Sequence, residues 1–296
     1  MPVPETATCP LCGSPGTPVF KQRDLYCGCE GEFEQSRCAA CDLFFLSSRV
    51  PETEIHRYYP ATYTPWRPVR YSSLIYRLAG ALAIPQKRRR RIQRFIAGGR
   101  ILDVGCGTGA FLAALDDAAW RKFGMDVTLP VDIPCAGEFH TGYFDREPVP
   151  MEAVHAITMW HVFEHLYHPL QALRNAAAIL RPEGYLFISI PNPHSFDARL
   201  FGRFWCGWDV PRHIATYSRA AISSMLERAG FRLHAVVPES GGVDWCFDIG
   251  FLLKAFGHPS RLHESLVLRV LLSPLAWLSN RFGRSGSTLY VARRAA

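Results

Sequence analysis

The sequence has 296 residues, 48% of them hydrophobic and 20% charged, with a formal net charge of +7. That balance excludes a disordered chain, a collagen and a coiled coil, and the length suits about two domains. No stretch reaches the roughly 18 uninterrupted apolar residues that mark a membrane-spanning helix.

The opening stretch MPVPETATCP has neither a basic n-region nor an apolar h-region, so a cytoplasmic location is expected. Six of the ten cysteines lie in the first 41 residues. In a reducing compartment such clustering suggests a metal rather than disulfides. Cys9-Pro-Leu-Cys12 and Cys38-Ala-Ala-Cys41 form two CxxC knuckles separated by 25 residues. Two knuckles complete a closed, tetrahedral four-cysteine zinc site, and a closed site is structural. Cys27 and Cys29 lie between the knuckles, as spectators or as alternative ligands, with spectators favoured. Residues 1–50 therefore read as a zinc-ribbon module that needs its metal because it buries too little apolar surface alone.

Leu43-Phe44-Phe45-Leu46 reads as a strand leaving the second knuckle. Residues 51–98 read as a linker and a basic helical segment. Tyr58-Tyr59-Pro60 and Tyr63-Thr64-Pro65-Trp66 are aromatic and punctuated by proline. Residues 71–97 look helical with a break at Pro85, and Leu74, Ile75, Leu78, Leu82 and Ile84 form an apolar stripe. Lys87-Arg88-Arg89-Arg90-Arg91 and Arg94 follow. Residues 1–100 hold 15 Lys or Arg against 8 acids, whereas residues 101–296 hold 18 of each. The basic block suits nucleic acid, an anionic membrane or simply a solvated helix face.

Beyond Gly99 short apolar runs alternate with helical stretches. Strands are expected at Arg100–Val104, Lys122–Val127, His155–Met159, Tyr185–Ile190, Arg232–Pro238 and Leu289–Ala292, with a weaker one at Glu138–Phe144. Helices fit at Gly109–Ala119, Pro169–Leu180 and Ser218–Ala229. The alternation predicts an α/β fold, a doubly wound and mostly parallel sheet covered on both faces.

The segment Asp103-Val104-Gly105-Cys106-Gly107-Thr108-Gly109 follows an apolar strand and opens a helix. Its glycines let backbone approach a ligand at the carboxyl end of the strand. Asp126 ends the next strand, where an acid accepts hydrogen bonds from ribose hydroxyls. With these residues the chain resembles the class I S-adenosylmethionine (SAM)-dependent methyltransferases over about residues 85–240. The resemblance implies a seven-stranded sheet with a final antiparallel hairpin. It also implies that Gly105 and Gly107 line the methionine of SAM, that Asp103 orients its ammonium and that Asp126 holds the ribose. Cys106, Gly109, Met125, Trp160 and His161 complete the expected cofactor set.

Residues 159–169, Met-Trp-His-Val-Phe-Glu-His-Leu-Tyr-His-Pro, resemble a segment of small-molecule and lipid methyltransferases, near the ubiquinone-pathway O-methyltransferases. Some of those hold a divalent metal on Glu, Glu and His at the spacing of His161, Glu164 and His165; His161 replaces the first Glu, which argues against that metal. The alternative leaves Glu164 orienting its neighbours and His165 as a general base. HxxEH is also the inverted zinc-protease signature, but no third ligand is evident.

Residues 191–218 follow the fifth strand and should cross the mouth of the site as an acceptor-binding insertion. Asn192, Trp208, Arg212 and Tyr217 are candidate acceptor contacts with Glu164, and His213 is a second candidate base. Arg212 and Asp209 are alternatively a pair that holds the loop. The Asn/Asp-Pro-Pro-Tyr/Phe signature of DNA-base methylation is absent, and no Pro-Cys nucleophile follows the fourth or fifth strand.

The expected function is SAM-dependent methylation of an O or C nucleophile on a small-molecule, saccharide or lipid-linked acceptor, with structural Zn2+. RNA methylation through the zinc module and the Arg run is the first alternative, and an inactive zinc-ribbon interaction protein the second. An apolar segment at residues 250–282 either lies on an anionic membrane or covers the sheet.

Overall fold

The computed structural model describes residues 4–60, 63, 83–146, 148–149, 151 and 153–295. The N-terminal strands are β1 (Glu5–Thr6), β2 (Thr17–Gln22), β3 (Phe33–Arg37) and β4 (Leu43–Arg49). They form an antiparallel sheet in the order β1-β4-β3-β2. The apolar run Leu43–Leu46 is wholly buried at the centre of this sheet. A turn of 3-10 helix at Ile55–Tyr58 follows.

α1 (Ala83–Ile92) carries the basic block. Pro85 is the third residue of the described helix; residues 71–82, on the other side of the expected break, lie outside the described residues. The helix stops earlier than residue 97. Of the expected apolar stripe, Leu74, Ile75, Leu78 and Leu82 lie outside the described residues, as do Thr64, Pro65 and Trp66. Ile84 is exposed.

The second sheet begins with β5 (Gly99–Val104), followed by α2 (Ala110–Ala113), β6 (Trp120–Asp126), β7 (Glu138–Thr141), β8 (Val154–Trp160), α3 (Pro169–Ile179) and β9 (Leu180–Pro191). Then come α4 (Phe196–Phe201), β10 (Ala215–Tyr217), α5 (Arg219–Arg228), β11 (Phe231–Glu239), α6 (Gly242–Ala255), α7 (Leu266–Arg281) and β12 (Ser287–Arg294). The order is β11-β12-β9-β8-β5-β6-β7. β5 to β9 run parallel, whereas β12 and β11 form the antiparallel end. Every expected strand is present. The helix expected at Gly109–Ala119 is shorter because Asp116 turns the chain, its carboxylate accepting from Ala118 N–H at 3.1 Å. Among the described residues no helix is long and apolar enough to cross a membrane.

The two sheets are joined more closely than a module ending at residue 50 implies. β10, from the loop after β9, pairs with β4, with Ala215 opposite Phe45 and Tyr217 opposite Leu43. Leu43 and Phe45 share one apolar cluster with Val104, Phe163, Ile190 and Met225. The ribbon therefore completes its core against the larger domain, which supplies the burial so small a module lacks.

Candidate active site

The turn after β5 is shaped by backbone that only glycine adopts easily. Gly105, Gly107 and Gly109 have φ of 70°, 52° and 72°. A Cβ on Gly105 would strike Val162, whereas one on Gly107 would meet nothing within 4 Å. The turn is thus backed by Val162 and open at Gly107. Asp126 Oδ2 accepts from Gly107 N–H at 2.8 Å, which fixes the acid at the rim of the turn. Asp103 is buried and accepts from the Thr158 hydroxyl at 2.6 Å. Burial pushes the Asp103 carboxyl up to about 7, against the Thr158 hydrogen bond and the nearby Arg88. Cys106 and Trp160 pack into the apolar cluster behind the turn.

The basic helix faces inward here. Arg88 lies 4.9 Å over the Trp160 ring, and burial lowers its pKa to about 10 while Asp103 pulls it back up. Arg91 pairs with Glu239, and Arg89 reaches the Ala114 carbonyl at 3.5 Å. Three of the five consecutive basic residues are thus engaged by the domain, which does not leave them as a free phosphate grip. Lys87, Arg90 and Arg94 are exposed.

A second polar cluster forms beyond β8. His161 has a φ of 57°, unusual for a residue with a side chain. Its Nδ1 lies 3.2 Å from Glu164 Oε1. Glu164 is fully buried, and its other oxygen has no hydrogen-bond partner among the described residues. Burial works to raise the Glu164 pKa, but His161 and the other imidazoles hold it below the ordinary value. His165 and His213 meet edge to face with centroids 4.6 Å apart. Glu164, His165 and His213 each offer a ligand atom within 4.8 Å of the others. His165 Nδ1 lies 3.0 Å from the Arg212 carbonyl and 3.0 Å from the Tyr59 hydroxyl. His213 Nδ1 lies 2.8 Å from the Gly207 carbonyl. A carbonyl only accepts, so both Nδ1 atoms are assigned the proton and both Nε2 atoms keep a lone pair. Burial, and then His213, pushes the His165 imidazole down to about 4.

The other expected acceptor contacts sit differently. Arg212 is wholly buried. Its guanidinium donates to Asp24 at 2.6 and 3.0 Å, to Asp209 at 2.6 and 3.0 Å and to the Tyr58 carbonyl at 3.0 Å. It is an internal strut between the ribbon and the loop, not an open contact for acceptor. Asp24 also accepts from the N–H groups of Tyr26, Cys27 and Cys29, so it fixes that turn too. Trp208 is core, packed with Trp205 and Phe44. Tyr217 is core as well, its ring 4.9 Å from Phe163. Asn192 braces a turn, donating to the Ser285 carbonyl at 3.1 Å and accepting from His194 N–H at 3.1 Å.

Two residues at the site were not singled out by sequence. Tyr59 touches His165 from a linker stretch, and Arg88 is, in sequence, one charge in a run. The doubled aromatic Tyr58-Tyr59 was the available signal for the first; no local pattern separates Arg88 from its neighbours.

The sulfurs of Cys9, Cys12, Cys38 and Cys41 all lie within 4.8 Å of one another, and Cys12 and Cys38 are 3.5 Å apart. Tetrahedral zinc with Zn–S near 2.3 Å places sulfurs about 3.8 Å apart, so the donor set fits that ion. Cys27 and Cys29 lie outside the cluster.

Residues 73–236 match a family described as Methyltransferase domain. A probable S-adenosylmethionine-dependent methyltransferase of Mycolicibacterium smegmatis is 26% identical over 151 residues, 48% of this chain and 56% of that protein. A ubiquinone biosynthesis O-methyltransferase of Xanthomonas oryzae is 28% identical over 167 residues, 48% of this chain and 66% of that one. The match thus spans less than two thirds of either relative. A solved SAM-dependent methyltransferase from Archaeoglobus fulgidus superposes with a TM-score of 0.50 at 18% identity, over 74% of this chain and 97% of that one. At that identity the likeness is one of fold. With residues 73–236, more than half of its length, matched, this chain belongs to the methyltransferase domain family.

Proposed function

We propose that the chain is a SAM-dependent methyltransferase acting on a hydroxyl of a small-molecule, saccharide or lipid-linked acceptor. The observation that carries the hydroxyl is the buried, unpartnered Glu164 oxygen beside two imidazoles whose Nδ1 protons are anchored on backbone carbonyls. A buried acceptor without a donor is costly, and an imidazole that takes a hydroxyl proton becomes the donor that relieves it. When bound, SAM supplies a methyl already activated on a sulfonium. Gly107 would leave room for it, Asp126 would hold the ribose, and Asp103 beside Arg88 would suit a zwitterion, the acid for the ammonium and the guanidinium for the carboxylate. His165 or His213 takes the hydroxyl proton on Nε2 as the oxygen becomes a nucleophile, and Glu164 steadies the imidazolium. Tyr59 and the Arg212 carbonyl keep the His165 ring aimed. The cysteine cluster holds Zn2+, which fixes the ribbon and, through Asp24 and Arg212, the loop carrying His213.

The test is methyl-labelled SAM with fractionated lysate, repeated with His165→Ala and His213→Ala. Label should enter lipid, glycan or small molecules. Turnover should fall about 10²–10⁴-fold in at least one variant with SAM affinity unchanged. Label in RNA, or full turnover in both variants, overturns the reading. Chelation that stops turnover while the cysteine-bound metal stays in place would assign Glu164, His165 and His213 to a divalent cation instead of to the proton.

A further inference from the structure

Helix α7 is amphipathic in the inverted sense. Its outer stripe is apolar: Val267, Val270, Leu271, Trp277 and Leu278 are 47–68% exposed, and Phe282 beyond its end is 70% exposed. Its inner side carries the half-buried Leu272 alongside small or polar residues. Ala276 and Ser279 are buried, Asn280 donates to the Ser240 carbonyl at 3.1 Å, and Arg269 donates to the His263 carbonyl at 2.7 Å. A helix that only covered its sheet would turn the leucines inward. Exposed apolar surface of this extent marks an interaction site.

The charge around the stripe says what would cover it. Of the seven Lys or Arg between residues 249 and 296, Lys254, Arg269, Arg293 and Arg294 are engaged within the protein, which leaves three against a single acid, Glu264. Arg261, before the helix, and Arg281 and Arg284, at its end, are exposed. We propose that the outer face of α7 docks on an anionic lipid bilayer, the helix lying in the plane of the interface with Trp277 and Phe282 at headgroup depth. At 16 residues the helix is about 24 Å long, too short for the roughly 30 Å core, so it lies on the membrane and does not span it. A second copy is a poorer occupant. A two-fold pairing would set this patch against itself and bring like charges together.

The surface adjoins the acceptor loop. The Arg284 carbonyl accepts from Phe196 N–H at 2.9 Å, and the Ser285 carbonyl accepts from Asn192 at 3.1 Å. Docking through α7 thus sets the 191–197 loop beside the bilayer, where a lipid-linked acceptor would be met. That last step rests on the acceptor class proposed above; vesicle binding does not.

The experiment sediments the full chain with vesicles of phosphatidylcholine alone, and with phosphatidylglycerol added at about one part in four. Partition should favour the anionic vesicles and weaken with salt. Leu271→Gln with Trp277→Gln, both at exposed positions, should lower it about tenfold or more, with SAM affinity intact. Arg281→Gln with Arg284→Gln should lower binding to the anionic vesicles only. No binding to the anionic vesicles, or unchanged binding in the Leu271/Trp277 variant, overturns the proposal. So does a lipid-free dimer of the wild type that the same pair of substitutions makes monomeric.

Discussion

The glycine turn and the histidine cluster, which the proposed function brings together in one reaction, are built in opposite ways. The turn is one continuous strand, loop and helix, and the acids beside it stand on adjacent strands of one sheet. The cluster takes His161, Glu164 and His165 from one loop, His213 from another, and Tyr59 from the segment after the ribbon. Arg212 and Asp24 lock the last two in place. A site made of one segment tolerates change elsewhere in the chain. A site made of three segments inherits the stability of every joint between them. SAM binding and methyl transfer should therefore separate when the joints are broken.

The largest separation comes from the turn. Gly105→Val places a β-branched residue at positive φ and drives it into Val162. SAM affinity should fall at least about a hundredfold, while the far-ultraviolet spectrum stays that of a folded α/β protein. An unchanged titration would remove SAM from this turn.

The complementary change is Cys9→Ser with Cys38→Ser. Metal content should drop below one per chain and transfer should be lost, while SAM affinity holds within about threefold. Metal still at one per chain would mean other ligands hold it. Arg212→Met acts on the same joint by stranding Asp24 and Asp209 as buried carboxylates, and should cost about 3–5 kcal/mol of stability. If either change weakens SAM binding as much as transfer, the two regions are one cooperative unit and the contrast fails.

The smallest effect is a proton. Asp103 has its pKa raised by burial to about 7, so in the free protein near neutral pH it is part protonated. The sign follows from linkage. The folded state holds this proton more tightly than the unfolded one, so the acid favours folding at low pH and that contribution is lost as pH rises through about 7. An ammonium docking on Asp103 reverses the shift and expels the proton. Titrations in buffers of different ionisation enthalpy should show up to about half a proton released per SAM at pH 7, and almost none two units higher. Equal heats in all buffers at pH 7 would separate Asp103 from the ammonium.

The same difference in construction decides what the sequence discloses. Asp103, Gly105, Gly107 and Asp126 are legible because their geometry is local: apolar strand, glycine turn, acid at the next strand end. The four-cysteine cluster is legible because each CxxC spacing sets two sulfurs side by side. Trp208, Arg212 and Tyr217 look like pocket residues in a polar, aromatic loop, but nothing local says that Asp24, 188 positions earlier, already holds the arginine. Tyr59 was hidden for the same reason. The basic run gave its charge but not its direction, since an arginine on a helix is equally able to face water or a tryptophan.

β10 also gives the chain a schedule. Leu43–Phe45 lies along an edge of the ribbon sheet until Ala215–Tyr217 has been synthesised and can pair with it. At ordinary ribosomal rates the intervening residues take roughly ten to thirty seconds. During that interval the nascent chain presents Leu43-Phe44-Phe45-Leu46 as an open apolar edge, the kind that recruits other strands. Early metal capture by the two knuckles would hold that edge in register until its partner emerges. Cells starved of zinc should lose this protein to aggregation during translation rather than after it.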